Sequence, residues 1–110
     1  MSAVDFYWKV GDLLPVLVRT LKSGSVPINL TGATITFWYE PVAGGVQQQA
    51  TGTVTVTDAS NGEVEFAPAS GDTDTAGEFW GEFKVVISGK PAHVPNDSHL
   101  WFKIHPRIST

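Results

Sequence analysis

The chain has 110 residues, 42% of them hydrophobic and only 16% charged, with a net charge of −4 and no cysteine. That length suits one domain with one sandwich-sized core. The seven Lys and Arg are scattered, so no basic stripe exists for a phosphate backbone; the missing thiol excludes disulfides, thiolate zinc sites and a cysteine nucleophile.

No apolar run approaches the ~20 residues of a membrane helix. The segment from Met1 to Asp12 lacks a basic start followed by an apolar stretch, so no secretory signal is expected and synthesis in a cytoplasm is. The charged share lies below the ~25% usual in globular proteins. Part of the surface is therefore uncharged, as in a protein covered by partners.

Helix signals are almost absent, and 11 Gly and 7 Pro punctuate short runs rich in Val, Ile, Thr, Phe and Trp. The first run is Leu13 to Leu21, placed at a sheet edge or a strand start because Pro15 lacks a ladder donor. Lys22 to Ser25 and Thr31-Gly32 read as turns. From Thr34 to Glu40 the pattern alternates, with Ile35, Phe37 and Tyr39 inward. Gln47, Gln48 and Gln49 form a polar tract expected in an exposed strand or loop. Val54 and Val56 point inward from 53–57, Val64 and Phe66 from 63–66, and Asn61-Gly62 between them signals a hairpin. The longest strand is expected over Glu78 to Ser88, with Phe79, Gly81, Phe83, Val85 and Ile87 on one face. Turns follow at Gly89-Lys90-Pro91 and Pro95-Asn96-Asp97, then a last strand over Ser98 to Ile104 with Leu100, Phe102 and Ile104 inward. About seven strands at roughly ten-residue spacing predict an all-β, immunoglobulin-like antiparallel β-sandwich. One domain over 1–110 is expected, with short arms at 1–9 and 105–110.

The stretch from Ser70 to Ser88 carries Asp72, Asp74, Glu78 and Glu82. A calcium site draws 6–8 oxygens, and the fixed loop pattern of an EF-hand is absent, so turn and cap chemistry is the better reading. Asp74 to Phe79 has the form of the corner before strand F of an immunoglobulin-type domain. Its aromatic is Phe79 rather than Tyr, and Gly81 stands where antibody domains carry a cysteine.

Several segments together resemble a known family. They are Lys9 to Asp12, Ile28 to Phe37, Ala59 to Val64, Gly71 to Phe79, Glu82 to Val85 and Val94 to Leu100. In this order and spacing they are similar to the small immunoglobulin-like domain of tailed-phage virion proteins, as in the N-terminal domain of lactococcal-type phage baseplate upper proteins. The resemblance implies a virion location and a non-enzymatic structural part in the baseplate, tail or neck. It also implies partners among other virion proteins, further copies of the chain included.

Catalytic, cofactor-binding and metal residues are not expected. His93, His99 and His105 lack the contexts of known enzyme sites, and the glycines open no phosphate loop. Tryptophan carries the candidate site instead. Trp38, Trp80 and Trp101 are expected to point outward, with Trp80 and Trp101 on one sheet face beside Glu82, Lys84 and Lys103. Such aromatics mark an interface. Phe6, Tyr7 and Trp8 form a further cluster on the N-terminal arm, poised to dock on a neighbour or fold back over Trp80 and Trp101. The alternatives are a capsid decoration protein and a carbohydrate-binding module recognising a host-surface glycan, the latter not favoured; neither nucleic acid nor membrane is an expected partner.

Overall fold

The computed structural model of the chain describes residues 5–95 and 100–108. Its strands in chain order are β1 (Phe6–Lys9), β2 (Leu17–Thr20), β3 (Lys22–Ser23), β4 (Val26–Pro27), β5 (Thr34–Pro41), β6 (Gln48–Gln49), β7 (Thr53–Asp58), β8 (Glu63–Ala67), β9 (Gly77–Ile87), β10 (Lys90–Val94) and β11 (Leu100–His105). The large sheet has the order β1-β11-β9-β5-β6, with β10 also paired to β9; the small sheet is β2-β8-β7, and β3 and β4 form a separate ribbon. Strands β5, β9 and β11 thus stand as C, F and G of an immunoglobulin-like sandwich, and β2, β8 and β7 as B, E and D.

Alternation builds the core. Phe37 and Tyr39 of β5, Val64 and Phe66 of β8, Phe79, Phe83 and Val85 of β9, and Phe102 and Ile104 of β11 are all buried. Ile35, Val54, Val56 and Ile87, expected inward, are partly buried against this cluster. Phe37 lies at its centre, with ring centroids 4.8 Å from Phe66 and 4.9 Å from Phe83.

Several boundaries differ from the sequence expectation. The run expected from Leu13 becomes a strand only at Leu17, past the proline that cannot donate to a ladder. The carbonyl of Pro15 instead accepts the indole N–H of Trp8 at 2.9 Å. The arm expected over 1–9 is, over 6–9, strand β1, which runs parallel to β11 with Trp8 opposite Ile104. Alternation along β1 sends Trp8 into the core at 3% exposure, edge-on to Phe102. Of the arm expected over 105–110, His105 ends β11. The last strand is described from Leu100; Asn96, Asp97, Ser98 and His99 lie outside the described residues.

The turn expected at Gly89-Lys90-Pro91 is instead centred on Ser88-Gly89. Lys90 lies opposite Ile87 and starts β10. Both turn residues have positive φ, 52° for Ser88 and 77° for Gly89, the geometry of a type I′ hairpin that favours Asn-Gly. Ser88→Asn is expected to stabilise the fold by about 0.5 kcal/mol or more, seen as a raised urea midpoint with an unchanged slope.

The Asn61-Gly62 signal does mark the β7–β8 hairpin, with a register shift between Val56 and Asp58. The Asp58 carboxylate accepts the Asn61 side-chain amide at 2.9 Å and the Ser60 hydroxyl at 3.2 Å. The Asn61 side chain, above all, holds the Asp58 carboxyl below its ordinary range.

Candidate functional site

The outward-pointing residues of the large sheet form one face. On β9 these are Glu78, Trp80, Glu82 and Lys84, because Phe79, Gly81, Phe83 and Val85 are turned inward. Pairing places β5 Trp38 opposite Glu82 and Glu40 opposite Trp80. It places β11 Trp101 opposite Trp80 and Lys103 opposite Glu78, and β10 His93 opposite Lys84. Three of the four tryptophans therefore gather on this face, all half-buried. The expected neighbourhood of Trp80 and Trp101 is present, with ring centroids 6.1 Å apart.

Local hydrogen bonds fix the rings. The Trp101 indole N–H donates to Glu78 Oε1 at 3.0 Å, and that of Trp38 to Thr36 Oγ1 at 2.9 Å. The main-chain N–H of Trp101 donates to the Asp5 carboxylate at 2.8 Å, so the chain before β1 extends the sheet edge. Tyr7 is 53% exposed on the same face and stacks on His105 at 5.5 Å. The N-terminal aromatics thus divide. Tyr7 joins the outer face, Phe6 packs partly buried against the core, and Trp8 is a core residue rather than an interface one. None of them folds over Trp80 and Trp101, because pairing with β11 carries β1 alongside that face at the sheet edge.

Between Trp38 and Trp80 lies an open depression of about 300 Å³, bordered by Glu40, Gln47, Glu82, Lys84 and His93. The Gln tract supplies part of its rim: β6 holds Gln49 opposite Trp38 and Gln48 opposite Tyr39. The sequence signal for Gln47 was polarity alone, and for His93 there was none, since β10 itself was not expected.

The acidic residues of the 70–88 stretch separate. Asp72, 7% exposed, accepts four hydrogen bonds: Thr51 N at 2.8 Å and Thr51 Oγ1 at 3.0 Å on Oδ1, and Gly52 N and Ala69 N at 2.8 Å on Oδ2. Of the two aspartates, Asp72 thus fills the expected turn role; Asp74 is exposed. Beside it, Thr73 is 1% exposed and donates to the Asp12 carbonyl at 2.8 Å, fastening the segment after β1 to the corner. Phe79 plugs the core as expected. Among the described residues no group of three His, Cys, Asp or Glu is placed to hold a metal ion.

One further titratable group sits at the end of the core. The Tyr39 hydroxyl accepts the Gln48 side-chain amide. Burial raises its pKa above 10.0, partly opposed by that hydrogen bond. A raised folded pKa means the neutral phenol is favoured in the fold. Its contribution is present below pH 10 and is lost as pH rises through the folded value. Stability should therefore fall as pH rises through 10 and above more steeply in the native chain than in Tyr39→Phe, measured as urea midpoints of the two.

The strand order and the outward aromatics together define a β-sandwich of the immunoglobulin-like class, with three tryptophans interleaved with charged side chains on the outer face of its large sheet. Among solved structures it is similar to the N-terminal domain of phage TP901-1 ORF48, with a TM-score of 0.60 and 14% identity, covering 91% of this chain and 83% of that one. The likeness is one of fold, and it agrees with the resemblance carried by the turn motifs. No protein-family model matches the sequence, and a search of curated proteins finds no match.

Proposed function

We propose that the protein is a non-enzymatic structural component of a tailed-phage virion, placed in the baseplate, tail or neck. In this reading it is made in the host cytoplasm and assembles with other virion proteins, further copies of itself included. The observation that carries the reading is the gathering of Trp80, Trp101 and Tyr7 on one face of a fold shared with a phage domain. Trp38 extends that surface across β5. Large aromatics on a rigid sheet supply contact area with little side-chain entropy to lose, and such residues dominate interface energies. The edge strands β1 and β7 add rows of main-chain groups that a neighbour can extend.

Copy number in purified particles tests the reading. Gradient-purified virions are digested and the protein is quantified against the major capsid protein by mass spectrometry. A low, ring-like abundance supports a baseplate or neck position. Abundance near that of the capsid protein moves the assignment to capsid decoration, and absence from particles overturns the virion reading. Trp101→Ala is expected to weaken incorporation about 30-fold, the equivalent of roughly 2 kcal/mol at an interface hot spot, while leaving the isolated domain folded.

A further inference from the structure

The outer face of the large sheet has two halves of different character. The half on β11 and β1 carries Trp101, Lys103 and Tyr7. The half on β5, β9 and β10 holds the depression between Trp38 and Trp80. We propose that this depression binds a short chain of neutral pyranose sugars. The proposal does not rest on the virion reading, although both use Trp38 and Trp80.

A pyranose ring has a flat face of C–H groups and a rim of hydroxyls. The C–H face gains from burial against an indole ring. The hydroxyls are each donor and acceptor, so a site must offer both kinds of partner. Here the two are interleaved. Pairing across β5 and β9 puts Glu82 beside Trp38 and Glu40 beside Trp80, so each ring is flanked by an acceptor carboxylate from the neighbouring strand. Lys84 and the Gln47 amide border the same space as donors, and His93 adds a ring that serves either way.

Size and charge narrow the ligand class. The depression of about 300 Å³ lies at the lower end of the ~300–1,000 Å³ range of small-ligand sites. It accommodates one ring closely and leaves its neighbours on the open rim. Two carboxylates against the single ammonium of Lys84 leave the lining slightly negative, which favours a neutral ligand over an anionic one. The frame is rigid: Trp38 and Trp80 stand on paired strands, and the hydrogen bond from Trp38 to Thr36 holds that ring in place. A preformed site loses little entropy on binding.

The test uses the full chain labelled with ¹⁵N and titrated separately with cellotriose, maltotriose and chitotriose at millimolar concentrations. At least one sugar is expected to move the Trp38 and Trp80 indole N–H resonances saturably. Trp38→Ala should weaken that binding about tenfold or more, and Glu40→Gln, which keeps the side-chain shape, severalfold, whereas Trp101→Ala should change it less than about twofold. Glu40→Gln keeps the test decisive should Trp38→Ala unfold. The proposal is overturned by the absence of a saturable shift with all three sugars. It is equally overturned by saturable binding that both Trp38→Ala and Glu40→Gln leave unchanged, which would locate the sugar elsewhere.

Discussion

Replacing Phe37 by alanine is expected to destabilise the domain by about 3–5 kcal/mol, a large share of the ~5–15 kcal/mol that holds a domain together. The ring joins both sheets. Its centroid lies 4.8 Å from Phe66 of the small sheet and 4.9 Å from Phe83 of the large one, and Phe102 is 6.0 Å away. Removing it opens a cavity that these stiff aromatic neighbours collapse into poorly. The ring also occupies space that exists because residue 81 has no side chain. A Cβ built there would stand 2.7 Å from Phe37 Cζ and 3.2 Å from Phe102 Cε1. Gly81→Val is therefore expected to destabilise by overpacking, by about 1–3 kcal/mol or more. In the double variant Phe37→Ala, Gly81→Val the new methyls enter the vacated space, so its loss should be smaller than the two single losses summed. Urea melts of all four proteins supply the cycle, and strict additivity would show that ring and glycine do not share a space.

The second large effect is expected at Asp72. Asp72→Ala leaves the main-chain N–H groups of Thr51, Gly52 and Ala69 without their acceptor. An abandoned buried donor costs about 1–3 kcal/mol, so a combined loss of about 3 kcal/mol is expected even if water reaches one of them. Asp72→Asn keeps the size but aims an N–H₂ at two donors or at the Thr51 pair, and should also destabilise, by about 1 kcal/mol or more. Asp74→Ala, on the exposed side of the same turn, should stay within about 0.5 kcal/mol of the native value. Thermal melts in calcium and in chelator distinguish turn from metal chemistry. The hydrogen-bonding role gives the same midpoint in both; a calcium-dependent rise lost in Asp72→Ala would establish a cation site instead.

What the chain determined locally is its alternation and its turns. Period-two patterns set which side chains of β5, β8, β9 and β11 face the core, because strand side chains alternate whatever the strand pairs with. They also put Trp38, Trp80 and Trp101 outward, and the spacing of turn residues identified a sandwich. Tertiary structure decided the rest. Trp8 has the local look of an arm residue, yet it is buried once β1 pairs with β11, residues about a hundred positions apart in sequence. Strand β10 carries a proline and a turn-like start, and its pairing with β9 makes it a strand. Asp72 and Asp74 are alike as letters. Only the approach of Thr51 and Gly52, distant in sequence, adds three donors to the local Ala69 N–H at Asp72, while Asp74 stays exposed. Likewise the depression beside Trp80 needs Glu40, Gln47 and His93 from three separate segments. Long-range pairing brings such groups together, and no local pattern encodes which distant segment will arrive.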